Sequence, residues 1–367
     1  MNWFEIANED DVPSPSLLVY PDRVEENIRR MVAIAGGATR LRTHVKTHKL
    51  AEVVRLQMRH GITKFKCATI AECEMTAGCG APDVLLAFQP VGPNVNRLIQ
   101  LVRKFPGTKF SCIADDAGAI SVLSEACEAA RLTLEVLLDI DVGMKRSGVE
   151  PGEKAVALYR QLHLSSSLLA GGLHVYDGHL QIRDPAERAA ACDAAFAPAN
   201  ALRRELTAAG LPVPNVVAGG TPTFPIHARR PGVECSPGTS VFSDCGYSTK
   251  MPDLDFPPAA VLLTRVISRP GANRLCLDLG HKAVAAENPH PRVNLFALPE
   301  AKFGGHSEEH LVVETERAGE FPVGTALYGV PWHICPTVAL HGQVVVVQGG
   351  RAVERWNVTA RERVITV

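Results

Sequence analysis

NVVAGGTPTFPIHARRPGVECSPGT, residues 215–239, holds the pattern from which the rest of the chain can be ordered. It contains two short β-prone runs, Asn215–Ala218 and Gly232–Cys235. The first stops at Gly219-Gly220-Thr221-Pro222-Thr223 and the second at Ser236-Pro237-Gly238-Thr239. Glycines let a backbone approach an anion, and hydroxyls with N–H groups can bind one. Taken singly, each loop reads as an ordinary turn. As a pair they gain weight, because an eight-stranded β/α barrel commonly binds phosphate in the loops after strands seven and eight.

Counting back from there, short β-prone runs alternate with helical patterns closed by Gly or Pro, the mark of repeated β-α units around a parallel sheet. The spacing predicts strands at Arg40–His44, Lys64–Ala68, Asp83–Ala87, Lys109–Ile113, Thr133–Ile140 and Leu168–Val175. With the two runs above they make eight. Between them Val24, Ile28, Met31 and Ala35 repeat at helical spacing after Pro21 and stop at Gly36-Gly37, a second helix follows Pro93, and Ala189–Leu206 is closed by Gly210. Past residue 250 the pattern turns to strands: Val261–Ser268, Arg274–Leu279, Leu311–Glu316, Ala326–Gly329, and a hairpin of Val344–Gln348 with Ala352–Val358 about Gly349-Gly350. The expected fold class is therefore α/β: an eight-stranded parallel β/α (TIM-type) barrel over 14–250, then a smaller all-β domain over 251–367. The Pro- and Asp-rich segment 251–258 is the expected linker, and residues 1–13 are expected to pack on the second domain.

Composition narrows the partners. Lys+Arg number 38 against 39 Asp+Glu, so the chain offers no field for nucleic acid or an anionic bilayer, and a small molecule is the expected partner. Ten cysteines without a Cys-x-x-Cys pair read as reduced residues. The acidic N-terminus and the lack of a long apolar run point to a cytoplasmic protein.

Active-site groups in such a barrel come from the C-terminal ends of its strands. The first strand runs into Arg42-Thr43-His44-Val45-Lys46-Thr47-His48-Lys49. The bland reading is a solvated loop. The sharper one is that Lys46, among cations, is a less easily protonated amine and a better nucleophile toward an aldehyde. The fifth strand runs into Asp141-Val142-Gly143-Met144-Lys145-Arg146, where an Arg could steer an anionic oxygen of a cofactor. The sixth ends His174-Val175-Tyr176-Asp177, with His174 equally readable as a satisfied core histidine. In the second domain His333-Ile334-Cys335 places imidazole and thiol two residues apart, on one side of an extended segment, a set that suits zinc better than magnesium but is incomplete as a site.

HVKTHK (44–49), DVGMKRSGV (141–149), AGGTPT (218–223), SPGTSVFSD (236–244), LDLGHKAVAAE (277–287) and HICPTVALHGQVVVV (333–347) together resemble the D-threonine aldolase and D-serine dehydratase family, from about Pro13 to the C-terminus. The family's members are fold-type III pyridoxal-phosphate enzymes with an alanine-racemase-like barrel. The resemblance implies a Schiff-base lysine at Lys46, an arginine near the cofactor's phenolate at Arg146, and a pocket aromatic at Tyr176. It implies a phosphate cup of Gly220, Thr221, Gly238 and Thr239. His333 and Cys335 match the metal pair, with zinc favoured and manganese or magnesium open, and His333 is also a candidate catalytic group. Thr43 stands where the family usually has Pro. Cys335 leans toward the dehydratases, Tyr176 and the sequence around KAVAAE and ICPTVAL toward the aldolases.

By activity, the resemblance implies a metal-dependent lyase acting on a D-β-hydroxy-α-amino acid, first as a D-threonine aldolase and second as a D-serine or D-threo-3-hydroxyaspartate dehydratase. It also implies a homodimer. An amino-acid racemase would need a second acid/base, and Tyr247 and Tyr328 stand in no racemase-like motif. A non-catalytic pyridoxal-phosphate carrier would lack the second domain and the metal pair, and a plain metal hydrolase would need more His and Asp ligands at the barrel top. His333, His174 and His310 are the candidates for the group that takes the first proton.

Overall fold

The computed structural model describes residues 2–367; Met1, the first of the residues expected to pack on the second domain, lies outside them. After β1 (Ser16–Val19) come eight strands of one sheet: β2 (Arg42–His44), β3 (Lys64–Cys67), β4 (Asp83–Leu86), β5 (Lys109–Ala114), β6 (Leu134–Ile140), β7 (Leu168–Val175), β8 (Asn215–Ala218) and β9 (Val233–Cys235). They lie in chain order, every neighbouring pair parallel, and a parallel bridge from Leu41 to Cys235 joins first to last. This is the β/α barrel. Strands buried on both faces appear in sequence as nearly continuous apolar runs, which is why all eight are readable there. Leu85, Ile113, Leu137 and Val217, from β4, β5, β6 and β8, pack together in its core. The first strand begins later than expected because Arg40 ends a short 3-10 turn, Ala38–Arg40, and spends its guanidinium on the carbonyls of Ala228 and Arg230.

One irregularity positions the site. Between Val136 and Leu137 the register of β6 against β7 slips, so that β7 carries an extra residue at Gly171-Gly172. Gly172 has φ +119°, and a Cβ there would lie 1.9 Å from the carbonyl oxygen of Asn215. Only glycine fits. The bulge resets the alternation of side chains for the rest of β7, which carries His174 and leads into Tyr176. Gly172→Ala is expected to destabilise the barrel by about 3 kcal/mol or more, read as a lower denaturant midpoint.

The remaining strands are β10 (Ala260–Gly271), β11 (Arg274–Leu277), β12 (Val293–Leu295), β13 (Lys302–His306), β14 (Leu311–Glu314), β15 (Ala326–Pro331), β16 (Gln343–Gln348) and β17 (Arg351–Asn357). With β1 they form a nine-stranded sheet in which β1 lies between β10, antiparallel, and β16, parallel. Ile6 and Val12 join Leu18, Val261, Tyr328 and Val345 in one core on this sheet.

By contacts, residues 2–28, 47–50 and 239–359 make this unit, while 29–46, 51–238 and 360–367 make the barrel unit. The division differs from 14–250 and 251–367. The chain leaves the barrel unit at Gly238, before the Pro-rich segment 251–258, and β1 lends its edge to the second sheet. Nor is the second unit made of strands alone, since it contains the helices Cys245–Lys250 and Ile334–Leu340. Among the described residues no helix is long and apolar enough to cross a membrane.

Candidate active site

In the barrel unit the site is built around one aromatic ring. Tyr176 directly follows β7, and Lys46 Nζ, Lys66 Nζ and Arg146 Cζ lie 5.6, 5.5 and 4.9 Å from its ring centroid. Lys46 sits in the 3-10 turn after β2, Arg146 in the loop after β6, and Lys66 on β3. Glycines hold the ring in place: a Cβ on Gly178 would come within 2.1 Å of its hydroxyl, and one on Gly220 within 3.2 Å of its edge. Among the described residues neither Lys46 Nζ nor the Arg146 guanidinium has a hydrogen-bond partner. Cations gathered without protein acceptors suit an anionic ligand better than they suit one another.

The rest of the basic run around Lys46 is put to other uses. Arg42 is buried and bonds Asp83 at 2.6 Å and Glu234 at 2.7 Å, and Lys64 pairs with the same Glu234. His48 is fully buried, and burial pushes its pKa down to about 3, so it is neutral. The cations that share the Tyr176 ring with Lys46 are thus Lys66 and Arg146, not its neighbours in sequence.

Behind the ring runs a hydrogen-bonded chain. Asp139 Oδ1 lies 2.7 Å from His174 Nδ1, Ser147 donates to Asp139 Oδ2 at 3.0 Å, and Lys66 Nζ lies 3.5 Å from His174 Nε2. Burial lowers the His174 pKa against the pull of Asp139, while His174, Ser147 and Lys66 outweigh burial and hold Asp139 below its ordinary value. Neutral His174 therefore gives its Nδ1–H to Asp139 and turns an accepting Nε2 toward Lys66. For Lys66 itself burial, with Lys46 and Arg146, pulls the pKa down to about 7 against Asp139 and Asp177.

The first of the two loops is braced from beneath. Gly219 has φ +78°, and a Cβ there would meet His227 at 2.7 Å. Thr223 accepts from the Gly220 N–H and donates to Asp177 at 2.7 Å, and Thr221 accepts from the Gly238 N–H at 3.3 Å. Thr239, next in the chain after Gly238, opens the short turn Thr239–Val241 of the other unit.

In the β-sheet unit His333 and Cys335 come together, but not on an extended segment as expected. His333 caps the helix Ile334–Leu340 and Cys335 lies in its first turn. Pro336 does not prevent this, because the first turn of a helix needs no N–H from it. His333 Nδ1 is bonded to Glu287, and the imidazole also hydrogen-bonds Cys335, while Asp244 accepts from Ile334 N at 3.1 Å and fixes the helix start. Although burial lowers the His333 pKa, Cys335, Glu287 and Asp244 outweigh it and raise it to about 9. Cys335 Sγ lies 3.2 Å from Thr47 Oγ1 and 3.5 Å from Thr239 Oγ1. An imidazole oriented by a carboxylate beside a thiol is a donor set that fits zinc. His310, by contrast, is exposed just before β14.

Two family models match the chain: "Alanine racemase, N-terminal domain" over residues 19–244 and "Putative serine dehydratase domain" over residues 259–347. D-threonine aldolase of Arthrobacter is 32% identical over 358 residues, 95% of this chain and 93% of its own. The crystal structure of D-threonine aldolase from Filomicrobium marinum superposes with a TM-score of 0.89 at 31% identity, covering 96% of each chain. D-threo-3-hydroxyaspartate dehydratase from Delftia superposes at 0.85 and 26% identity over 94% of this chain and 97% of its own. The chain belongs to the D-threonine aldolase and D-serine dehydratase family.

Within this family member one further cluster could hold an ion. Ligand atoms of Asp177, Cys192 and His227 lie within 4.8 Å of one another, all buried. They are already engaged. Arg230 Nη1 donates to His227 Nδ1 at 2.5 Å, so Nε2 carries the proton that goes to Asp177 Oδ2 at 2.8 Å, and the same guanidinium lies 3.7 Å from Cys192 Sγ. A cation there would face a fixed guanidinium and a protonated ring nitrogen, so the cluster reads as the brace of the Gly219-Gly220 loop.

Sequence reading passed over Lys66, Asp139, Asp177, His227 and Glu287. Lys66, Asp139 and Asp177 carried a local signal, since each lies near or just past the C-terminal end of a barrel strand, where polar side chains are functional candidates; His227 and Glu287 did not.

Proposed function

We propose that this protein is a pyridoxal-phosphate- and divalent-metal-dependent lyase that cleaves D-β-hydroxy-α-amino acids, D-threonine among them, into glycine and an aldehyde. The observation that carries this is the Lys46 amine, without a hydrogen-bond partner among the described residues and facing the Tyr176 ring with Arg146, in a member of a family that includes D-threonine aldolases. When bound, pyridoxal phosphate supplies a ring that withdraws electrons from the substrate's α carbon, and the metal supplies a Lewis acid for the β-hydroxyl.

The chain's own residues divide the remaining work. Lys46 carries the cofactor through its amine. Arg146 faces the ring oxygen, Tyr176 packs its phenol ring in the pocket, and Gly220, Thr221, Gly238 and Thr239 receive the phosphate. His333 and Cys335 hold the metal, zinc being the best match to imidazole plus thiolate. Glu287 engages His333 Nδ1, which would keep the proton on that nitrogen and leave Nε2 as the one to ligate a metal in place of its bond to Cys335. Of the three histidines considered for the first proton, His174 has both ring nitrogens engaged and His310 is exposed. His333 is engaged on both sides as well, by Glu287 and Cys335, and of the three it is the one assigned to the metal, so its part in catalysis is to hold the ion that would bind the hydroxyl.

A second reading, dehydration to a keto acid and ammonia, has Cys335 in its favour. The reactions part at one bond: Cα–Cβ opens in the first, and in the second Lys46 takes the α proton and the hydroxyl leaves. With D-threonine and added zinc or manganese, glycine and acetaldehyde are the expected products. Appearance of 2-oxobutanoate without glycine would overturn the first reading. We also place the protein in the cytoplasm, as its N-terminal composition suggests, and the family likeness leads us to expect a homodimer, which sedimentation as a monomer at micromolar concentration would contradict.

A further inference from the structure

We infer that Lys66 is a second cation of the cofactor pocket: held on one side by His174 and Asp139, it turns its remaining N–H groups to an anionic oxygen, either that of the cofactor ring or the carboxylate of the amino acid. The inference rests on the pyridoxal-phosphate reading of the site.

Four observations support it. Lys66 is 2% exposed, a burial that lysine does not tolerate without an anion or hydrogen-bond partners. Its ammonium has three N–H groups, and among the described residues His174 Nε2, at 3.5 Å, is its hydrogen-bond partner. The orientation of His174 is fixed by Asp139, so Nε2 can only accept, and Lys66 is the donor. Finally, Lys66 shares the Tyr176 ring with Lys46 and Arg146, which places it with those two cations rather than in a structural ion pair.

The groups acting on Lys66 are Lys46 and Arg146, which disfavour its charge, Asp139 and Asp177, which favour it, and neutral His174. The balance leaves its pKa at about 7, so an arriving anion is met by a group that takes up a proton to receive it. The extra cation also bears on Lys46. A positive charge nearby makes the nitrogen that joins Lys46 to the cofactor harder to protonate, and loss of that charge makes it easier.

The test uses the full chain loaded with pyridoxal phosphate and follows its visible absorbance against pH, with no substrate present. Lys66→Met is expected to move the midpoint of that titration upward by about one pH unit or more. Lys66→Arg, which keeps the charge, is expected to leave it near the wild-type position. Lys66→Gln keeps a donor toward His174 without the charge and reads the same loss if the methionine variant does not fold.

A second arm titrates each protein with D-alanine, which has no β-hydroxyl to lose. An unmoved midpoint with affinity for D-alanine weakened about tenfold or more would assign Lys66 to the carboxylate instead of the ring oxygen. If the neutral variants leave both quantities unchanged, the inference is overturned while the cofactor reading stands. If wild-type protein shows no visible band at all, the reading beneath it falls, and the inference with it.

Discussion

Lys46→Ala should lose at least about a thousandfold of its activity on D-threonine, because the variant removes the amine assigned to join the cofactor to the protein. It should also lose the visible absorbance of the loaded enzyme while keeping its far-ultraviolet circular dichroism. Lys46 is half-buried on the turn after β2 and, among the described residues, makes no side-chain hydrogen bond that its loss would break. Activity and absorbance should therefore fall together without unfolding, measured on the same preparation. A variant that turns over D-threonine within about tenfold of the wild type would place the chemistry elsewhere.

Removing the metal is expected to separate what Lys46→Ala joins. Chelation, or Cys335→Ala, should lower cleavage by about a hundredfold or more while the visible absorbance persists, since the residues assigned to the metal differ from those assigned to the cofactor ring. Added zinc or manganese should restore the chelated wild type but not Cys335→Ala. Glu287→Gln should act more mildly. It leaves both ligands in place but weakens the hold on His333 Nδ1, so metal affinity is expected to fall about ten- to a hundredfold and excess metal to restore activity. Full activity of the chelated enzyme with no metal detectable by elemental analysis would remove the metal from the mechanism.

The barrel was legible because its strands are buried on both faces and its helices are closed by Gly or Pro, two local signals that tertiary structure did not override. The second unit was less so. β12 has three residues and β13 reads Lys-Phe-Gly-Gly-His, too short or too poor in β-formers to register, while β1 hides in a Pro- and Ser-rich approach. Ile334–Leu340 has seven residues, a length at which periodicity cannot separate strand from helix, and the two-residue spacing of His333 and Cys335 was read as that of an extended segment.

The residues of the site were found where motif and topology coincide, at Lys46, Arg146, Tyr176 and the glycine loops. They were missed where the meaning lies in a partner far away in sequence. Lys66 finds His174 across 108 positions, His333 finds Glu287 across 46, and Asp177 finds His227 across 50. No window along the chain contains such pairs.

Whether the Lys46 amine carries the cofactor is decided by borohydride reduction of the loaded protein followed by peptide mapping. A single pyridoxyl group is expected, stoichiometric with the chain, on the peptide that contains Lys46, and none on the peptide that contains Lys66. Label on Lys66, or a protein that takes up cofactor yet leaves Lys46 unmodified, would contradict the assignment on which the mechanism stands.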